Sequence, residues 1–166
     1  CSALKAGFNV IHYTFELTET GTGLRYDSNL CQIPSNEVQD RKDEVIEFYK
    51  EQGEQLGKLM IKEYPTGTAT VQTLRSHIEK LSLKGFIPQV LIIDYADIMR
   101  SSRQYDSMRH ELKKVYEDLR NLAMEKSMPI WTASQSNRDS ANTDIVGLEN
   151  MSESYGKAQV ADVVIS

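Results

Sequence analysis

The sequence lacks the features that define several large classes of protein. No stretch approaches 18 consecutive apolar residues, so we expect no membrane-spanning helix. The first ten residues have no charged segment followed by an apolar one, so we expect no secretory signal there. The two cysteines are too few for a disulfide framework, and the three histidines have no spacing typical of a zinc site. This sparing use of cysteine suits a reducing cytosol.

Positive charge is also scarce. The chain has 19 lysines and arginines against 24 acidic residues, a net charge of −5, which excludes a wholly basic nucleic-acid coat protein. Its 166 residues suffice for one hydrophobic core and are too few for two full-sized domains. Residues 98–115 nevertheless carry a net charge of +3, which leaves −8 for the rest. Such a local basic patch fits a protein that contacts DNA through a restricted surface, and it makes Arg100 and Arg103 candidate DNA contacts.

Short apolar runs alternate with helical patterns along the chain. Apolar residues at steps of three and four predict helices over about 70–81 and 108–122, and a polar segment over about 36–53 predicts a surface helix. Gly21 and Gly23 argue against a helix after the first strand. This alternation predicts an α/β fold, with a mostly parallel sheet covered by helices on both faces. The predicted strands are Asn9–Phe15, Lys58–Tyr64, Val90–Asp94, Met128–Ala133 and Ala161–Ile165.

Polar residues follow three of these strands, and the carboxyl ends of parallel strands share one edge of the sheet. An aspartate that closes an apolar strand, as Asp94 does, has the Walker B pattern, in which the carboxylate holds Mg²⁺ through water beside nucleotide phosphates. Glu16 can activate a water for attack on a phosphate, and Gln135 can donate its amide to a phosphate oxygen. Each residue alone also fits a helix cap, a solvated side chain or a loop hydrogen bond. The three in this order are more specific.

The order of HYTFELTE, LMIKEYPTG, VLIIDYADIM, PIWTASQSNR and SESYGKAQVADVVI resembles the ATPase domain of DnaB-family hexameric replicative helicases, most of all those of T-even-type bacteriophages. The resemblance covers essentially the whole chain. It implies a RecA-like P-loop NTPase fold, ATP and Mg²⁺ as cofactors, a homo-hexamer, and single-stranded DNA, a primase and a helicase loader as partners in the cytoplasm of a bacterium or an infected host. It also implies that Glu16 is the catalytic glutamate, Asp94 the Walker B aspartate and Gln135 the γ-phosphate sensor.

The same resemblance implies DNA contacts in the last part of the chain. Residues 136–151 correspond to a central-channel loop, and residues 152–155 to a phosphate-binding signature that reads RESG in bacterial relatives. Ser152 and Tyr155 stand where that signature has Arg and Gly. Among the aromatic residues, Tyr105 and Tyr155 are candidates for stacking on a base, Tyr95 is expected to pack against a neighbouring loop, and Trp131 is expected in the core. The implied nucleic-acid contacts are Arg100, Arg103, Arg138, Glu153, Ser154 and Lys157.

The phosphate loop G-x-x-x-x-G-K-[ST] does not occur in the sequence. The resemblance places it before a segment like ALKAGFNV, and the arginine finger after ADVVI. We therefore expect the chain to be a partial ATPase domain, cut at both ends and inactive by itself. Two alternatives stay open: a RecA/RadA- or KaiC-like ATPase on the same core, and a degenerate RecA-like module that binds partners without hydrolysing ATP. The presence of Glu16, Asp94 and Gln135 together favours a helicase that hydrolyses ATP.

Overall fold

A computed structural model describes residues 1–105, 107–135 and 155–165. Four parallel strands form one sheet in the order β2-β1-β3-β4. Thr14 lies opposite Glu63 on one side and Asp94 on the other, so the carboxyl ends of three neighbouring strands are level with one another. This confirms the predicted parallel sheet. The strands are β1 (Val10–Thr14), β2 (Leu59–Glu63), β3 (Val90–Asp94) and β4 (Ile130–Thr132).

Helices cover both faces of this sheet. Thr70 caps one of them, because its hydroxyl accepts a hydrogen bond from the Thr73 backbone while the Thr73 hydroxyl accepts one from the Thr70 backbone. Among the described residues, no helix is long and apolar enough to cross a membrane. The helices are α1 (Ser2–Lys5), α2 (Glu19–Cys31), α3 (Lys42–Gln52), α4 (Val71–Leu83), α5 (Met108–Lys126) and α6 (Tyr155–Val160).

The two faces of the sheet differ in how well they are covered. Alternate side chains of β1 and β3, among them Ile11, Leu91 and Ile93, are fully buried beneath α4 and α5; we call this the packed face. His12 and Ile92 point the other way and are only half-buried, beneath α1 and α2. We call this second surface the open face. The larger core therefore lies on the packed face.

Trp131 contradicts the prediction that it belongs to the core, because 53% of its surface is exposed. The strand that contains Trp131 was predicted correctly, but the face of the sheet to which its side chain points was not. Trp131 lies opposite Ile92 and therefore points to the open face, whereas Ile130 lies opposite Leu91 and packs into the larger core. Strand periodicity alone does not tell which of the two faces a helix covers.

The segment after β1 is a full helix, against the expectation from its two glycines. The Thr18 hydroxyl accepts a hydrogen bond from the Gly21 backbone at 3.0 Å and so caps α2. Thr22, Tyr26 and Leu30 follow at steps of four and are buried against the sheet. Capping and burial outweigh the conformational cost of the glycines, which is about 1 kcal/mol each.

Two other predicted elements also differ. The surface helix begins at Lys42 rather than near residue 36, because residues 35–41 form successive turns after Pro34. The predicted fifth strand over Ala161–Ile165 is absent from the described end of the chain, where this segment pairs with no strand. Instead, the Arg120 guanidinium donates to the Val160 carbonyl and the Asp162 carboxylate, which directs the chain along α5.

Candidate active site

The turn that carries Glu16 is fixed by the last residue of β1. Thr14 is fully buried, and its hydroxyl donates to the Leu17 carbonyl at 3.0 Å and accepts from the Leu17 backbone N–H at 3.1 Å. The next backbone N–H, that of Phe15, donates to the Asp94 carbonyl at 3.0 Å. The predicted catalytic residues Glu16 and Asp94 are therefore held at adjacent strand ends.

Tyr95 interacts with two of the predicted catalytic side chains. Its hydroxyl accepts a hydrogen bond from Gln135 Nε2 at 2.9 Å, and the Glu16 carboxylate is close enough for its charge to act on the phenol. Partial desolvation, followed by the negative charge of Glu16, raises the pKa of Tyr95. The phenol thus stays protonated beside the carboxylate. The sequence suggested only local packing for Tyr95; sequence reasoning missed the hydrogen bond between its hydroxyl and Gln135.

Asp94 lies on the open face, near His12 and Tyr26. The Tyr26 hydroxyl and His12 Nδ1 are 3.0 Å apart. Burial lowers the pKa of His12, although the charge of Asp94 opposes that shift. Burial and the same carboxylate raise the pKa of Tyr26 to about 12. Both neighbours are therefore neutral near pH 7, and neither neutralises the Asp94 charge.

This setting is compatible with Mg²⁺ held mainly by water and phosphate. Mg²⁺ in nucleotide sites keeps several waters and takes only one or two carboxylates from the protein. Across residues 1–105, 107–135 and 155–165, no group of three or more His, Cys, Asp or Glu side chains is arranged to hold a metal. The single carboxylate of Asp94 fits a Mg²⁺ site that is completed by water and phosphate. It does not fit a site in which the protein supplies all the ligands.

Arg100 and Arg103 line a polar surface cavity of about 410 Å³. Hydroxyl side chains, including those of Thr68 and Ser101, share the lining with one acidic residue, Glu111. Neither arginine side chain has a hydrogen bond or an ion pair within the described parts of the chain. The loop is docked on residues 67–69, because the Gly67 backbone N–H donates to the Ile98 carbonyl and the Arg100 backbone N–H donates to the Ala69 carbonyl, both at 3.0 Å. Both guanidinium groups are therefore free to meet an anion.

Lys157, the other predicted DNA contact that the structure describes, has a different setting. Its side chain is 1% exposed, and Nζ donates to Asp97 Oδ2 at 2.7 Å. The ammonium therefore faces the protein interior and not the solvent. Arg138, Glu153 and Ser154 lie outside the described residues, as does the side chain of Tyr155. Tyr105 is partly exposed beside the arginine-lined cavity.

Comparison with known proteins agrees with this fold. The DnaB-like replicative helicase of Enterobacteria phage T4 is 31% identical over 173 aligned residues, which cover 98% of this chain and 36% of the relative. The replicative DNA helicase DnaB of Helicobacter pylori is 24% identical, with 99% of this chain and 34% of the relative covered. A solved DnaB-like replicative helicase, studied with its primase interactions, superposes with a TM-score of 0.78 at 16% identity, covering 93% of this chain and 40% of that one.

These matches define the fold and the family. The solved structure shares the RecA-like α/β architecture with a parallel sheet. The chain spans about a third of the length of the two curated relatives described above. Residues 2–166 match the family described as the DnaB-like helicase C-terminal domain. The chain therefore belongs to the DnaB-like helicase C-terminal domain family.

Proposed function

We propose that this chain is the ATPase motor domain of a replicative DNA helicase, which translocates on single-stranded DNA and unwinds duplex DNA as it hydrolyses ATP. One observation carries the proposal: directly beyond Asp94, at the carboxyl edge of adjacent parallel strands, the Tyr95 hydroxyl is hydrogen-bonded to Gln135 and lies within the electrostatic influence of Glu16. That edge is where open α/β sheets bind their ligands.

In this proposal, the residues of the site divide the work of hydrolysis. Glu16 takes the proton of the attacking water as the oxygen bonds to the γ-phosphorus and the bond to the leaving ADP breaks. Asp94 is the residue that would hold Mg²⁺ through water, and the bound ion would offset the negative charge of the phosphates. The Gln135 amide donates to a γ-phosphate oxygen, which competes with its bond to Tyr95. Tyr95 holds the sensor by this hydrogen bond, close to the base.

The DNA partner is proposed from charge. Arg100 and Arg103 lie in the loop just past β3, at the same edge of the sheet as Asp94, and have no anionic partner in the described chain. Phosphate neutralisation by such cations supplies most of the sequence-independent affinity for nucleic acid. From the family resemblance of this chain, we also propose that the intact protein forms a hexameric ring and that it has a primase and a helicase loader as partners.

Glu16→Gln in the intact protein tests the function. The substitution keeps the shape of the side chain but removes the base, so ATP turnover should fall by about 100-fold or more while ATP still binds. The measurements are phosphate release with and without oligo(dT), and nucleotide binding by fluorescence. Glu117→Gln on the exposed side of α5 is the matched control and should behave like the parent.

Two results would contradict the proposal in different ways. Unchanged turnover in Glu16→Gln removes Glu16 from the role of base. Turnover that does not respond to single-stranded DNA removes the DNA motor and favours another ATPase on the same core. For residues 1–166 alone we expect no measurable ATPase, because the phosphate-loop lysine is not among them.

A further inference from the structure

One largely enclosed carboxylate, with 12% of its side chain exposed, joins four elements of the domain. Asp97 lies in the short turn after β3, and its Oδ2 accepts hydrogen bonds from Lys157 Nζ at 2.7 Å and from Ser134 Oγ at 3.1 Å. Its Oδ1 accepts from the Tyr116 hydroxyl at 2.6 Å. The cluster thereby links the turn after β3, the end of β4, α5 and α6.

The pair at the centre of this cluster is unusual for a protein interior. Lysine is almost never fully buried unless it is paired, and the Lys157 side chain is 1% exposed. Its ammonium also donates to Ser134 Oγ at 3.3 Å and lies 5.8 Å from the centre of the Tyr116 ring. Removal of one partner would leave the other charge buried and uncompensated, which is strongly destabilising. We therefore expect Asp97 and Lys157 to stay paired in the folded protein.

The position of the cluster along the chain gives it a consequence for the candidate active site. Ser134 directly precedes the sensor Gln135, and Asp97 comes three residues after Asp94. Lys157 lies just beyond the segment in which DNA contacts are predicted. Arg120 fixes the end of α6 to α5 as well. The hydrogen bonds of Asp97 therefore connect α6 to both strand ends that carry the site.

We propose that Asp97 and Lys157 form a positioning pair for Gln135, through which DNA engagement alters the rate of ATP turnover. This rests on the proposed function. Lys157 acts by holding Asp97 and Ser134, and does not bind a DNA phosphate. The role predicted for it from the sequence, a direct DNA contact, is the competing outcome of the test.

The test compares Lys157→Met, Asp97→Asn and the double variant with the parent, all in the intact protein. In the double variant both charges are gone, and the amide introduced at position 97 can still accept from Tyr116 and donate to Ser134, so the fold is preserved when the single variants are unstable. We measure turnover with and without oligo(dT), and anisotropy of a labelled oligo(dT). The stimulation by DNA should fall by about fivefold or more in the double variant, a typical coupling between two sites, with oligonucleotide affinity unchanged.

Each contrary result has its own meaning. If the double variant is stimulated as strongly as the parent, the pair only stabilises the fold and the positioning role is overturned. If Lys157→Met loses oligonucleotide affinity and Asp97→Asn gains it, the lysine is a direct DNA contact and the proposal is overturned. If the parent itself shows no stimulation by DNA, the proposed function fails first and the positioning role falls with it.

Discussion

The packed face of the sheet carries most of the hydrophobic core, whereas the open face carries side chains of the candidate active site. On the packed face, Leu91 and Ile93 are at most 1% exposed beneath two long helices. On the open face, the same strand presents the half-buried Ile92 and then Asp94, with His12 and Trp131 on the neighbouring strands. A fully packed surface has no room for a ligand, and a fully solvated one cannot orient a carboxylate. The open face meets both needs because it is only partly covered.

The largest expected difference between the faces is in stability. Leu91→Ala removes a fully buried side chain and should lower the free energy of unfolding by about 3 kcal/mol. Ile92→Ala, the matched change one residue along the same strand, should cost about 1 kcal/mol because Ile92 is only half-buried. Native-state hydrogen exchange of the β1 and β3 amides in the intact protein reports both values on the domain itself. Equal losses would mean that the open face is as well covered as the packed one.

A smaller difference is expected when the pH changes. Burial lowers the pKa of His12, so the unfolded chain binds a proton at this site more readily than the folded chain. The stabilisation is present above the ordinary histidine pKa of about 6.5 and is lost as the pH falls towards the folded pKa. The exchange-derived stability of β1 should therefore decrease from pH 7.5 to 5.5, and less steeply in His12→Gln. A slope unchanged in His12→Gln would contradict the assignment.

The same two faces explain which features could be predicted from sequence. The packed face follows from periodicity, because apolar residues at steps of three and four in α4 and α5 match the buried alternate positions of β1 and β3. The placement of Glu16, Asp94 and Gln135 follows from the parallel topology. The side chains that join them do not. Nothing in the local sequence of Tyr95 or Lys157 shows which residue from a distant element its polar atom meets, and both contacts span 40 or more residues.

The smallest expected effect concerns Trp131, the only tryptophan of the chain. Because 53% of its surface is exposed on the open face, Trp131→Thr should change the unfolding free energy by no more than about 0.5 kcal/mol. In the unsubstituted protein, acrylamide should quench the fluorescence of this indole readily. The contrast with Leu91→Ala then measures how unequal the faces are. The quenching is compared between residues 1–166 and the intact protein. Strong protection of the indole in both would mean that the open face is covered within the chain itself, and protection in the intact protein alone would locate the cover in chain outside these residues.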